Sequence, residues 1–302
     1  MPSPPKKNPI PRKTAPSTIR KTATAVRKPV KRRPSKKKKT GMALHWKFTI
    51  VLLLLVLLSP LYYAYVLRLF TSTISWVKDW GEDPNYRTYS SFDIKIPKMH
   101  SIHGIDVSYY QGKIDWQKVK DMQEDGVSVK FAMIKATEGV MLVDPYFQRN
   151  WREAAKTGIV CSAYHFFRPK KSGEWQARFF LQTVNIEKGD LPPVVDIEEL
   201  NGVSPQKMRK ELKAFLSYVE RKTGVKPIIY SGLSFYKDFL NGHFEEYPLW
   251  VAHYHQPKLK LEANKWAFWQ HSDKAKISGI NHLVDFNAFN GDSTAFEALK
   301  LK

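Results

Sequence analysis

The sequence predicts an α/β domain built on a largely parallel sheet, carried behind a basic tail and one membrane-spanning helix. Three features predict it: short apolar runs alternate with helix-patterned segments from Ile102 onward, residues 48–67 carry no charge, and basic residues crowd the amino end. Strands alternating with helices are the pattern of parallel strands joined by crossovers. Of 302 residues, 43% are hydrophobic and 13% aromatic, enough for a sizeable core and too many for a chain disordered throughout.

The tail, residues 1–45, accounts for most of the charge. The net charge of +21 suggests nucleic acid until it is located: residues 1–40 hold 15 of the 49 Lys and Arg and no Asp or Glu. The remainder carries 34 basic against 28 acidic side chains. Rich in Pro, Lys, Arg, Ser and Thr, the tail has little to bury and is expected to be disordered. Binding of anionic lipid or nucleic acid through its cations is one reading; the topological role that follows is the simpler one.

The membrane segment is placed at residues 46–70. Its core, Phe48 to Leu67, reads FTIVLLLLVLLSPLYYAYVL. At about 1.5 Å per residue such a run spans a hydrocarbon core of roughly 30 Å. A buried core helix is the competing reading, but soluble helices are seldom apolar all round. Lys36 to Lys39 and Lys47 flank it on the amino side, with only Arg68 and Lys78 close by on the other. Positive charge stays inside, so the tail is expected in the cytoplasm and the rest beyond a bacterial inner (cell) membrane, periplasmic or extracellular. No small-x-small cleavage signal follows, which favours a retained anchor over a signal peptide.

Residues 71–100 mix Ser, Thr, Asp, Pro and aromatics without a sustained period and read as a juxtamembrane connector. The catalytic domain is placed at 101–302. Its expected strands are Gly104 to Val107, Phe131 to Ile134, Val160 to Phe166, Pro193 to Ile197, Pro227 to Tyr230, Leu249 to Ala252 and Trp266 to Trp269. Helices are expected at Pro145 to Thr157 and after Ser204, where Pro205 suits the first helical position and Gly224 the stop. Beyond Tyr230 the helical patterns shorten, so loops or hairpins should join the last strands.

Carboxylates stand at the ends of these runs. In Val194-Val195-Asp196-Ile197-Glu198, acids at i and i+2 point to one face of an extended chain. Asp106 and Asp285 stand similarly, and a closed α/β barrel would gather all four at one mouth. Like charges held close raise one another's pKa, so that one acid keeps its proton while its neighbour ionises, as in glycosidases. A lone strand-end Asp is as readily a cap, so the Asp196–Glu198 pair carries the reading. Tyr164, Tyr230, Trp250, Tyr254 and Trp269 accompany the acids, flat rings suited to sugar faces or to core packing. Glu138 adds a polar group at the mouth or a surface turn.

The stretches GIDVSYYQGKIDW from Gly104, KATEG from Lys135, AYHFFRP from Ala163, VVDIE from Val194, and LWVAHY, WAFWQ and LVDFNAF near the end resemble glycoside hydrolase family 25, the Chalaropsis-type lysozymes. The resemblance spans roughly 200 residues in family order. It implies a flattened TIM-like (β/α)5(β)3 barrel and N-acetylmuramidase action on peptidoglycan, with Glu198 matching the general acid beside Asp196, Asp106 and Asp285. It also implies substrate contacts from Tyr164, Tyr230 and Trp250, and no cofactor. The tail and anchor fall outside the family pattern, and Glu199 makes the pair D-I-E-E, its side chain expected on the opposite face.

Other chemistries fare worse. His253 and His255 form H-x-H without a third ligand at metal-like spacing, Cys161 opens an apolar run as a small hydrophobe, and no glycine-rich phosphate loop follows a strand. A wall-binding module that no longer turns over substrate is the non-enzymatic alternative; the complete acid set weighs against it.

Overall fold

The computed structural model describes residues 44–57, 83–254, 256 and 258–302. They fall in two compact units, Met1–Ile74 and Ser75–Lys302. In the first unit the helix Leu44–Leu57 covers 14 residues, or about 21 Å, and exposes Trp46, Phe48, Ile50, Val51, Leu52 and Leu53. Among the described residues no helix is long and apolar enough to cross a membrane. Most of the basic tail, the remainder of the expected span and the connector up to residue 82 lie outside the described residues.

The second unit begins earlier than the sequence suggested. The end of the expected connector is a β-hairpin, β1 (Tyr86–Tyr89) paired antiparallel with β2 (Ile94–Pro97). Tyr89, Phe92, Ile94 and Ile96 are buried in the main hydrophobic core, so the hairpin belongs to the domain. Four-residue strands are too short to reveal a period, which hid them in the sequence.

The barrel follows, with β3 (His103–Val107), β4 (Gln123–Glu124), β5 (Val127–Glu138), β6 (Leu142–Val143), β7 (Val160–Phe166), β8 (Val194–Asp196), β9 (Ile228–Gly232), β10 (Leu249–Ala252), β11 (Phe268–Ala275) and β12 (Val284–Phe289). Eight of these close in the order β3-β12-β11-β10-β9-β8-β7-β5, with β5 returning to β3. Neighbours are parallel from β3 through β5, β7, β8, β9, β10 to β11, while β12 runs antiparallel to both partners. Helices Trp116–Asp121, Phe147–Lys156, Gly173–Thr183 and Pro205–Thr223 cover the early crossovers; after β9 the helical pieces are short, namely Leu233–Phe235, a π-helical turn Tyr236–Leu240, a 3-10 turn Ala263–Lys265 and the final helix Ser293–Leu299. The helix after Ser204 forms as expected: Ser204 caps it, Pro205 opens it, and Gly224 ends it at φ 75°, a left-handed conformation that glycine adopts without steric cost.

Alternation along the strands divides the core in two. Phe131, Met133, Val194, Ile228, Tyr230, Trp250, Phe268 and Phe289 fill the barrel interior, closed by Phe296 of the last helix, Ser293–Leu299. Their strand neighbours, such as Ala132, Val195, Ile229, Val251 and Trp269, face the helices and the hairpin. Gly104 permits the tight interior: a Cβ there would lie 2.4 Å from the Phe131 ring. This aromatic filling forms the floor on which the polar mouth is built.

Candidate active site

Asp106 and Asp196 point inward from β3 and β8 above that floor, both buried, while Glu198 follows two residues later and is exposed at the mouth. Asp285 arrives differently from the expectation. It does not end a strand but stands second in β12, directly opposite Asp106. Because β12 runs antiparallel, its amino end lies at the mouth where the parallel strands have their carboxyl ends. The four acids therefore converge, although one comes from the reverse end of its strand.

Each of the four holds its proton more tightly than an ordinary carboxylic acid. Burial raises Asp196 well above the usual range, and the charges of Glu198 and Asp106 add to it. Glu198 is raised by desolvation and by Glu199, against a hydrogen bond with Tyr230. Burial lifts Asp106 to about 6 despite donors from Asn287 and Gln270. Asp285 is pushed up to about 8, by burial first and then by the charges of Asp106 and Asp273. One oxygen of Asp196, Oδ1, is buried without a hydrogen-bond partner.

The surrounding side chains sort into three groups. Tyr164 is partly buried in the interior cluster; burial, then the charges of Asp106 and Asp196, raises its pKa, which places it among the acids. The Tyr230 and Tyr254 hydroxyls both donate to Gln270 Oε1, at 2.8 and 2.6 Å. Gln270 Nε2 and Asn287 Nδ2 both donate to Asp106 Oδ2, at 2.7 and 2.8 Å. Glu138 is an ion-pair member: Lys135 Nζ lies 2.9 Å from it, and Arg168 bridges it to Glu199. Burial tends to raise Glu138, but the hydrogen bonds and charges of Lys135 and Arg168 prevail and hold it below its ordinary value.

Two aromatic assignments change. Trp269 neighbours Gln270, and on a strand adjacent residues face opposite ways; with Gln270 inward, Trp269 turns out into the outer core, where its indole donates to the His253 carbonyl at 2.9 Å. Trp250 does point inward, but it is only 2% exposed and lies beneath the mouth against Tyr230, with its indole on Asn287 Oδ1 at 2.8 Å. Neither ring has an exposed face. Two rings not singled out in the sequence are open to solvent: Tyr109 and Tyr110, in the turn after β3, are 44% and 68% exposed and stack with centroids 4.2 Å apart. An aromatic doublet two residues beyond a strand-end acid was the signal available.

Among the described residues no group of three His, Cys, Asp or Glu is placed to hold a metal ion, and His255 of the H-x-H pair lies outside them. Cys161 is buried and its thiol is pushed up to about 12 by burial, so it packs as a hydrophobe. A cavity of about 470 Å³ lined by Tyr236, Phe244, Tyr247, Leu249 and Trp266 sits at the amino ends of β9 and β10, away from the acids.

Four proton-retaining carboxyls at the carboxyl-end mouth of a closed barrel, beside exposed aromatic rings, define a glycosidase-type site. The family model for glycosyl hydrolases family 25 matches residues 105–280, more than half of the chain, and the chain belongs to that family. It is 47% identical over 254 residues to the Escherichia coli (strain K12) protein described as uncharacterized protein YegX, covering 83% of this chain and 93% of that one. Lysozyme M1 of Streptomyces globisporus is 34% identical over 234 residues, 72% of this chain and 76% of its own. The structure of a family 25 glycosyl hydrolase from Bacillus anthracis superposes with a TM-score of 0.63 at 32% identity, over 73% of this chain and all of that one (100%).

Proposed function

We propose that this chain is a peptidoglycan muramidase that cleaves the β-1,4 bond between N-acetylmuramic acid and N-acetylglucosamine, with Glu198 as general acid. The observation that carries the proposal is the pairing of two unlike carboxyls one strand step apart. Glu198 is exposed where a leaving oxygen can reach it, and Asp196 is buried beside it with a free oxygen. A raised pKa favours a proton on Glu198 for transfer to the glycosidic oxygen. Burial, the larger cause at Asp196, favours a proton there as well, so its ionisation belongs to the substrate-bound state, where the positive charge developing on the acetamido group offsets it. The unpartnered oxygen of Asp196 suits the N–H of the substrate's own 2-acetamido group, whose carbonyl attacks the anomeric carbon. Similarity to lysozyme M1 supports the substrate class.

Mass spectrometry of fragments released from purified peptidoglycan by the full chain tests this reading. Reducing N-acetylmuramic acid ends are expected. Reducing N-acetylglucosamine ends would replace it with a glucosaminidase, and binding without release would favour a wall-binding module. A fragment starting at residue 97 is unsuitable, because it lacks the buried hairpin residues Tyr89, Phe92, Ile94 and Ile96.

The charge-free run 48–67 supports a further proposal: a single-pass anchor in a bacterial inner membrane, the tail cytoplasmic and the barrel on the wall side. The exposed apolar side chains of the helix Leu44–Leu57 and the lysines before it favour this placement. Two Arg substitutions between Leu52 and Leu58 should release the protein from carbonate-washed membranes or block export, each costing roughly 2.5–3.5 kcal/mol at the helix centre. Under this proposal the charge of the tail orients the anchor and needs no nucleic-acid or lipid ligand of its own.

A further inference from the structure

We infer that Gln270 and Asn287 are positioning residues of the hydrolytic site, which fix Asp106 as the acceptor of its pair with Asp285 and hold Tyr230 and Tyr254 in register with it. The inference deepens the muramidase reading and rests on it. It begins at Trp250, whose indole N–H is a donor only. Because that N–H meets Asn287 Oδ1 at 2.8 Å, the orientation of the Asn287 amide is settled, and its NH2 group must face Asp106 Oδ2, where it lies at 2.8 Å. Gln270 supplies a second amide N–H to the same oxygen at 2.7 Å.

An oxygen that accepts two N–H donors has no place for a proton. Asp106 Oδ2 is therefore held as an acceptor, which favours the proton of the Asp106–Asp285 pair, facing residues on β3 and β12, on Asp285 as the donor. The same Gln270 turns its Oε1 to the Tyr230 and Tyr254 hydroxyls, which lie at 2.8 and 2.6 Å. One buried amide thus couples the carboxyl pair to the tyrosine that adjoins Glu198. Gln270 and Asn287 are 2% and 0% exposed, beneath the mouth and out of reach of a substrate, so their influence passes through the groups they hold. Trp250 acts one step further back by locking Asn287.

Asn287→Asp and Gln270→Met, made in the full chain and compared with wild type in kcat, KM and their pH profiles, test the inference. An Asp at 287 can donate to Asp106 only when protonated, so Asn287→Asp should confine activity to acid pH and move the optimum of kcat/KM at least one unit down. Gln270→Met should lower kcat by about 10- to 100-fold with KM changed less than threefold, the scale of a misplaced catalytic group. Trp250→Phe, which removes the indole N–H but keeps a ring, should shift the pH profile as Asn287→Asp does, by a smaller amount. Folding is checked by thermal melts. Folded variants with wild-type profiles would overturn the inference, as would a fall in kcat with no change in the pH profile of any of the three. If Glu198→Gln itself remained fully active, the muramidase site assignment would fail instead, so the two failures are distinguishable.

Discussion

Asp285 on β12 is registered directly opposite Asp106 on β3, placing two carboxyls across one antiparallel pairing inside the barrel mouth. Two negative charges so placed cannot both ionise without mutual cost, and burial adds to it. The pair therefore holds a proton at neutral pH, with Asp285 raised to about 8 and Asp106 to about 6.

That arrangement predicts a pH-dependent stability cost. A carboxyl whose folded pKa is raised binds its proton more tightly in the native state, so its contribution is fully present below about pH 4 and is lost as pH rises through the folded value of about 8. Asp285→Asn removes this dependence. The variant should match wild type at pH 4 and melt several degrees higher at pH 8 to 9, since roughly 1 kcal/mol moves a domain of this size by about 2–4 °C. Parallel melting curves across that range would refute the assignment. The comparison between the two proteins cancels the histidines, which act in the opposite direction.

The histidines give a second prediction. Burial lowers His103 to about 4 and His271 well below its usual value, each with further repulsion from neighbouring histidines. Both rings pack on Phe286, with centroids 5.7 Å away, and Phe92 of the hairpin packs on it at 5.4 Å. A lowered histidine pKa means that only the unfolded chain takes up the proton, so stability should fall as pH drops from about 6.5 towards 4. His271→Phe should flatten that fall, as read by denaturant midpoints at pH 7 and pH 4.5. An unchanged difference between the two midpoints would count against it.

The exposed pair Tyr109 and Tyr110 predicts a binding effect without a stability effect. Tyr110 is 68% exposed, so Tyr110→Ala removes little buried area. An exposed aromatic face in the turn that follows β3 offers a sugar ring an apolar surface. Tyr110→Ala should raise KM for polymeric peptidoglycan about three- to tenfold, leave kcat within twofold, and shift the melting temperature by no more than a degree or two. A wild-type KM would remove Tyr110 from the substrate path.

Much of this site was legible in the sequence because the chemistry sits on short apolar runs whose order survives folding. The run ending in Asp196 is β8, the helix after Ser204 has its cap and its stop, and the four acids meet. What was not legible turns on parity and direction. Trp269 and Gln270 are adjacent, and the sequence does not say which of two neighbours faces inward; the polar one does, because it has Asp106 to donate to. Asp285 looked like a strand end because three apolar or polar residues precede it, but the strand continues through Phe286 to Phe289 and runs the other way. Trp250 lies too deep for a sugar because Tyr230 packs against it at 4.3 Å beneath the mouth, a depth no spacing records.

The last prediction concerns stereochemistry. Glu198→Gln keeps the shape but removes the proton donor, so turnover should fall by roughly 10²- to 10⁴-fold while binding survives. Asp196 lies one strand step before Glu198 on the same face of the chain, and so beside it rather than across the sugar, where an inverting enzyme holds its water between carboxyls about 6.5–9.5 Å apart. Its free buried oxygen is instead suited to orienting the substrate's acetamido N–H, so that the carbonyl oxygen of that group displaces the leaving sugar from the opposite face. Water then enters from the side the leaving group vacated, and two inversions give net retention. Asp196→Asn should therefore be severely impaired, because its amide stays neutral and cannot balance the positive charge that develops on the substrate's acetamido group. A rapid NMR time course should show the β-anomer of the new reducing end first. If the α-anomer appears first, the substrate-assisted step is wrong and a water held by a different base must replace it.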